Sequence, residues 1–297
     1  MEISAKMVKD LREMTGAGMM DCKKALIEAD GDMDAAVDLL RTKGLAALSK
    51  KAGRATNEGV IGGFVDCDAR VGALVEVNCE TDFVARNADF RNFVASVAEH
   101  VATAAPADVS ELMGQNFAGR NETFEQVLGE TVARIGENMG VARLARYELS
   151  SADGAVTVYI HGVGNIGVMV ELSASSSDAA DSPAFLLLAK DIAMQIAAAS
   201  PMCVDRDGID ADVVARELEI YKAQAAESGK PEQIQDKIAQ GRLEKFYKEV
   251  VLLEQPFVKD SDLTVTQQVD KVAKELGAQI GIVRFERFVL GETATAQ

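Results

Sequence analysis

The chain of 297 residues has no tryptophan, only two histidines, five prolines and four cysteines, and it is short of positive charge. Each shortage excludes something. Lysine and arginine number 31 against 47 aspartates and glutamates, for a formal net charge of −16. Binding to a nucleic-acid backbone draws on a basic surface that releases counterions, so direct nucleic-acid binding is not expected. Cys22, Cys67, Cys79 and Cys203 form no C-x-x-C pair and have too few histidines to complete a zinc set, which fits a reducing compartment. No uninterrupted apolar run reaches membrane-spanning length, and the opening Met-Glu-Ile-Ser lacks the basic and apolar regions of a signal peptide. The expectation is a soluble cytoplasmic protein with no membrane association, no cofactor and no metal. A 48% hydrophobic composition over this length supports two or three domains with substantial cores.

Several motifs fail in context. Gly162-Val163-Gly164-Asn165-Ile166-Gly167 matches G-x-G-x-x-G, but a dinucleotide site must pass from a strand into a helix. Here the last glycine opens another apolar strand, Val168–Leu172, so the segment reads as a hairpin turn and an oxidoreductase is excluded. Asp30-Gly31-Asp32-Met33-Asp34 begins like a calcium loop, yet position 35 is alanine and no glutamate closes it. It reads as a helix cap. There is no G-x-S-x-G, P-loop or Cys–His–Asn set, and His100, on an alanine-rich helix, reads as a packing residue.

Residues 4–45 predict three helices. Ser4 caps the first, Thr15-Gly16-Ala17-Gly18 breaks it, Asp32 caps the third, and Gly44 reads as its stop. The pattern resembles the ubiquitin-associated type of module. Helical spacing points Met19 inward and leaves Met20 partly exposed, where a polarizable side chain suits docking. Lys50–Arg54 reads as a flexible basic linker.

Two repeats follow. A shift of 95 positions lays Gly59 on Gly154, Gly72 on Gly167, Glu76 on Glu171, Phe90 on Phe185 and Pro106 on Pro201. A shift of 141 lays Thr123 on Thr264, Gly136 on Gly277, Arg143 on Arg284 and Arg146 on Arg287. Each unit therefore reads β-β-α-α-β, a three-stranded antiparallel sheet with helices on one face. The second unit carries a 46-residue insertion between Pro201 and Thr264. Val214, Leu218, Tyr221 and Ala225 form one stripe there, Ile234 and Ile238 begin another, and Ser228-Gly229-Lys230-Pro231 makes the turn of a helical hairpin. The fold class is α+β. The expected division is 1–46 for the helical domain, 47–58 for the linker, 59–150 and 151–201 with 264–297 for the two core units, and 202–263 for the hairpin.

The copies differ where the second strand ends. Thr81-Asp82-Phe83-Val84 falls on Ser176-Ser177-Asp178-Ala179, so the aromatic–acid tip is not needed to make the fold and reads as a working site. If exposed, Phe83 gains about 1.5–3 kcal/mol only when a partner buries it.

Thr15–Leu26 and Glu76–Val84, together with His161-Gly162, Ile166-Gly167-Val168, Ser228–Pro231 and Gln255-Pro256-Phe257-Val258, resemble translation elongation factor Ts in order across nearly the whole chain. The resemblance implies a non-enzymatic guanine-nucleotide exchange factor for elongation factor Tu. It implies that Thr81, Asp82, Phe83 and Val84 enter the partner's nucleotide-binding domain and dislodge magnesium. Met19, Met20 and Arg12 become docking residues, and His161 meets another partner domain. The inserted hairpin becomes a coiled coil and a candidate dimerisation surface. Some relatives continue past the last strand into a helical module, whereas this sequence ends soon after Gly291. The competing reading is a binding adaptor built on the ubiquitin-associated-like helices, which leaves the duplicated core unexplained.

Overall fold

Stretches of period-3.6 apolar spacing alternate with short runs of β-branched residues, and the chain folds accordingly into a mixed α+β protein. A computed structural model describes residues 3–227 and 231–292; Ser228, Gly229 and Lys230 of the expected turn lie outside the described residues. Three helices come first: α1 (Ala5–Thr15), α2 (Met19–Glu28) and α3 (Met33–Lys51). Their small core is Val8, Leu11, Cys22, Ala25, Leu26 and Ala36. Ser4 and Asp32 cap α1 and α3, accepting from the backbone N–H of Met7 and Ala35.

Two sequence expectations fail here. Gly44 does not stop α3, which runs on to Lys51, so the stretch outside helix and strand is only 52–57. The reason is tertiary. A Cβ on Gly129 would lie 2.9 Å from the Gly44 carbonyl carbon, and one on Gly44 would lie 3.1 Å from the Gly129 carbonyl carbon. Gly129 belongs to α7 (Phe124–Ile135), and the two glycines let the helices cross backbone to backbone. Beyond the crossing, Ala46, Ala47 and Leu48 favour helix, and Leu48 packs on the core of the first sheet. The basic pair Lys50-Lys51 is therefore the last helical turn, with Lys51 Nζ donating to the Val132 carbonyl at 3.4 Å. The second failure is Met19, which sits at the first position of α2 and is 56% exposed. Cys22, Ala25 and Leu26, one turn later, already fill the core.

The first sheet has the order β1 (Glu58–Val65), β2 (Val71–Cys79), β3 (Met139–Glu148), all antiparallel. The second has β4 (Asp153–His161), β5 (Ile166–Ala174) and β8 (Ile280–Val289) in the same order and sense. Between β2 and β3 come α4 (Asp82–Ala85), α5 (Ala88–Ala104), α6 (Val109–Gly114) and α7. The short α4 and α6 were not anticipated, because one turn of helix has no readable periodicity. After β5 come α8 (Ser177–Ala180) and α9 (Pro183–Ala199), then α10 (Ala211–Ala226) and α11 (Glu232–Val250). The small hairpin β6 (Pro256–Phe257) and β7 (Asp260–Thr264) and then α12 (Val265–Leu276) lead to β8.

Correspondence between the two halves reaches small details. Thr123 and Thr264 each form a reciprocal capping box with a glutamine three residues on. Ala105 and Ser200, just before the prolines, both have φ of 50°. The ladder is interrupted between Glu76 and Val77 in one sheet and between Glu171 and Leu172 in the other. These bulges set each glutamate directly opposite Arg143 or Arg284.

The two sheets pack through Ile61, Leu74, Tyr147 and Leu149 against Val156, Met169, Phe288 and Leu290, which are equivalent residues in the two shifts. Buried Glu76 accepts from Arg143 Nε at 2.8 Å and from the backbone N–H of Gly291 at 2.9 Å. Buried Glu171 accepts from Arg284 Nε at 2.7 Å and from the Ser150 N–H at 2.6 Å. Each arginine also donates across the seam, to the Val289 or Glu148 carbonyl, and stacks 4.1 Å from the ring of Phe288 or Tyr147. The seam has the mutual character of an isologous contact.

In the insertion, α10 and α11 lie against each other, with Ala225 and Ala239 buried between them. Ile234 is exposed, contrary to expectation, whereas Ile238 is half-buried and Ala239 fully buried. Arg206 braces the base, paired with Glu244 and Glu254 and stacked on Tyr247. Among the described residues, no helix is long and apolar enough to cross a membrane.

Candidate functional site

Strand β2 is buried almost throughout, and at its end the chain turns into the four-residue α4. Thr81 is the cap of that turn: its hydroxyl accepts from the Val84 N–H at 3.4 Å. The same hydroxyl donates to Glu137 Oε1 at 2.6 Å, and the Thr81 N–H donates to Glu137 Oε2 at 3.0 Å. Cys79 Sγ donates to the Thr81 carbonyl at 3.3 Å. Burial, together with the Glu137 carboxylate, pushes that thiol up to about 12. One residue earlier, Glu80 accepts from the Asn138 N–H at 2.6 Å and pairs with Arg54 at 3.2 Å. The Asn138 N–H, chiefly, holds the Glu80 carboxyl below its ordinary range.

The tetrapeptide divides in two on this support. Val84 points into the core of the first sheet and anchors the turn. Phe83 points out and is 82% exposed. Asp82 lies beside it on the surface, bridged to Arg86 at 3.1 Å. In the second half α8 makes the same turn, with Ser176 accepting from Ala179 N–H at 3.4 Å and Ala179 buried, but Asp178 stands in place of Phe83.

His161 ends β4 on the surface, its Nδ1 2.9 Å from the Tyr159 hydroxyl. The turn that follows is a hairpin, with Gly162 and Gly164 at φ of 60° and 104°. It lies against the start of β1: Ile61 N–H donates to Gly164 O at 2.8 Å, and a Cβ on Gly164 would lie 2.6 Å from Val60 Cγ1. Because α4 also packs on β1, and Arg91 of α5 donates to the Val163 carbonyl, the Phe83 and His161 segments share one end of that strand. Val163, 58% exposed, was not singled out from sequence, where it stood inside a glycine motif.

Arg12, Met19 and Met20 form a separate exposed group at the α1–α2 corner. That corner is carried by the α3–α7 crossing and by an Arg41–Glu122 ion pair. A cleft of about 250 Å³ between the three helices and α7 is lined by Ala17, Leu40, Ala47, Ala133, Lys51 and Arg134. Glu137 escaped the sequence reading too, although the 141-residue shift lays it on Ala278 and so marks it as particular to the first half.

Large apolar side chains held out on braced turns are the chemistry of macromolecular contact. The fold and this surface define an α+β protein that holds large apolar side chains out on braced turns. Comparison with known proteins gives its family. A family model described as "Elongation factor TS" matches residues 80–292. Elongation factor Ts of Trichlorobacter lovleyi is 52% identical, over 98% of this chain and 94% of the relative. Those of Clostridium perfringens strain SM101 and Syntrophotalea carbinolica are each 49% identical, over 98% of this chain and 93% and 94% of the relatives. The chain belongs to the elongation factor Ts family, whose members are translation elongation factors.

Proposed function

We infer that this protein is a guanine-nucleotide exchange factor for elongation factor Tu, acting in the cytoplasm by contact and without covalent chemistry of its own. The observation that carries the reading is Phe83, exposed at 82% on a turn whose cap and inward residue are fixed. An aromatic ring held in water gains about 1.5–3 kcal/mol when a partner buries it. In this reading Phe83 wedges into the nucleotide-binding domain of the partner, with Asp82 beside it, and Thr81 and Val84 hold the wedge. Magnesium bridges the GDP phosphates to the partner, so a wedge that misaligns the metal site weakens nucleotide binding. Factor and nucleotide then weaken each other by the same coupling free energy. GDP leaves, GTP enters, and the factor is released.

His161 and Val163 supply a second contact, and Arg12, Met19 and Met20 dock the helical unit. The proposed division follows: a ubiquitin-associated-like helical domain, two related core units, and an inserted coiled-coil hairpin that offers a dimerisation surface. Release of a fluorescent GDP analogue from elongation factor Tu tests the reading. Wild type is expected to accelerate release, and Phe83→Ala to lose about ten- to a hundredfold of that acceleration, the factor that burying a phenylalanine corresponds to. No acceleration by wild type would remove the exchange reading.

A further inference from the structure

Thr81 and its counterpart Ser176 cap the same turn, yet among the described residues only the first is clamped from outside it. The clamp comes from the three residues joining α7 to β3, where Gly136 ends the helix at φ of 93°. Both halves tie this joint to the residue that follows the central strand: the Asn138 N–H donates to Glu80 in the first, and in the second the Gln279 N–H donates to Ser175 Oγ and the Ser175 N–H to the Gln279 carbonyl, each at 3.0 Å. That tie belongs to the fold. The Glu137 contact does not, because Ala278 occupies the equivalent place. The half with the exposed phenylalanine is thus also the half with the extra carboxylate.

We propose that Glu137 is a positioning residue that holds Phe83 in its presented orientation, a role that rests on the exchange reading above. Its two oxygens take both donors of Thr81, the N–H at 3.0 Å and the hydroxyl at 2.6 Å. Using the single hydroxyl proton this way turns a lone pair of Thr81 toward the Val84 N–H, so the rotor, the cap and the turn are set together. Val84 is pinned in the core on one side and Thr81 by Glu137 on the other, and Phe83 lies between two fixed points. A ring that reaches its partner already oriented loses less freedom on binding.

The test uses the absence of tryptophan from the chain: Phe83→Trp creates a single tryptophan at the tip, which red-edge excitation selects over the four tyrosines. Time-resolved anisotropy of the free factor is expected to show a small fast local component. Glu137→Ala should at least double its amplitude, and Glu137→Gln, which keeps one acceptor oxygen, should fall between. In the native Phe83 background, Glu137→Ala should slow GDP release by about tenfold, the factor that losing one charge-assisted hydrogen bond corresponds to. In the Phe83→Ala background it should change release by less than about twofold. Unchanged anisotropy in both Glu137 variants would overturn the clamp. So would a tenfold loss that persists without Phe83, since that describes general destabilisation. If wild type fails to accelerate release, the exchange reading falls while the anisotropy still decides the clamp.

Discussion

The two halves of the core carry the same buried machinery and opposite surfaces. Glu76–Arg143 and Glu171–Arg284 repeat each other down to the carbonyl each arginine reaches across the seam. The turns after β2 and β5 repeat each other in backbone, cap and inward residue. They part in what faces water, Phe83 in one and Asp178 in the other, and in the Glu137 carboxylate that holds Thr81, where the second half has Ala278. A duplicated fold therefore separates what the frame requires from what a partner requires. Residues shared by both halves build the frame, and residues confined to one half are candidates for work.

The seam offers the stronger way to break this comparison. Arg143→Ala and Arg284→Ala should each leave a fully buried glutamate without its cation, at a cost of about 2–3 kcal/mol. Denaturant unfolding should report similar losses for the two; a cost confined to one would show that the seam is symmetric in geometry alone. Glu286 sharpens the comparison with a smaller effect. It stands on the seam face of β8 where the first half has Ala145, and burial raises its carboxyl above the ordinary range, partly offset by Arg143.

An acid with a raised folded value binds its proton more tightly when folded, so it destabilises the fold once pH exceeds the unfolded value near 4.3. Glu286→Gln should therefore raise the melting temperature at pH 7, by less than the about 2–4 °C that 1 kcal/mol corresponds to here. The gain should disappear below about pH 4. Glu171 has the opposite sign. Burial alone would raise its carboxyl, but hydrogen bonds from Ser150 and Arg284 outweigh that and lower it. Its stabilisation is present above the unfolded value and is lost as pH falls through the folded one.

The repeats made much of the sheet and helix order legible, because glycines, prolines and threonine caps recur at fixed shifts and each has a local physical reason. The exposed tip was legible for the same reason, since one copy served as control for the other. Gly44 was misread because a glycine that ends a helix and one that lets two helices touch look alike in sequence; only Gly129, 85 positions away, distinguishes them. Met19 was misplaced because a periodicity of three or four does not say which turn the core begins on. Val84 was grouped with its neighbours, although alternation of one turn sends it inward and Phe83 outward. Glu137 was passed over because its meaning lies in a contact 56 residues away.

The most direct measurement exchanges the tip. Thr81→Ser, Asp82→Ser, Phe83→Asp and Val84→Ala together give the first half the turn of the second, a backbone that the fold already accepts. Release of a fluorescent GDP analogue from elongation factor Tu would be compared with the unaltered chain. The expected result is a folded protein whose acceleration of release has fallen to background. A folded chain that still accelerates release at the original rate would contradict the account, and would place the working contact elsewhere than on Phe83.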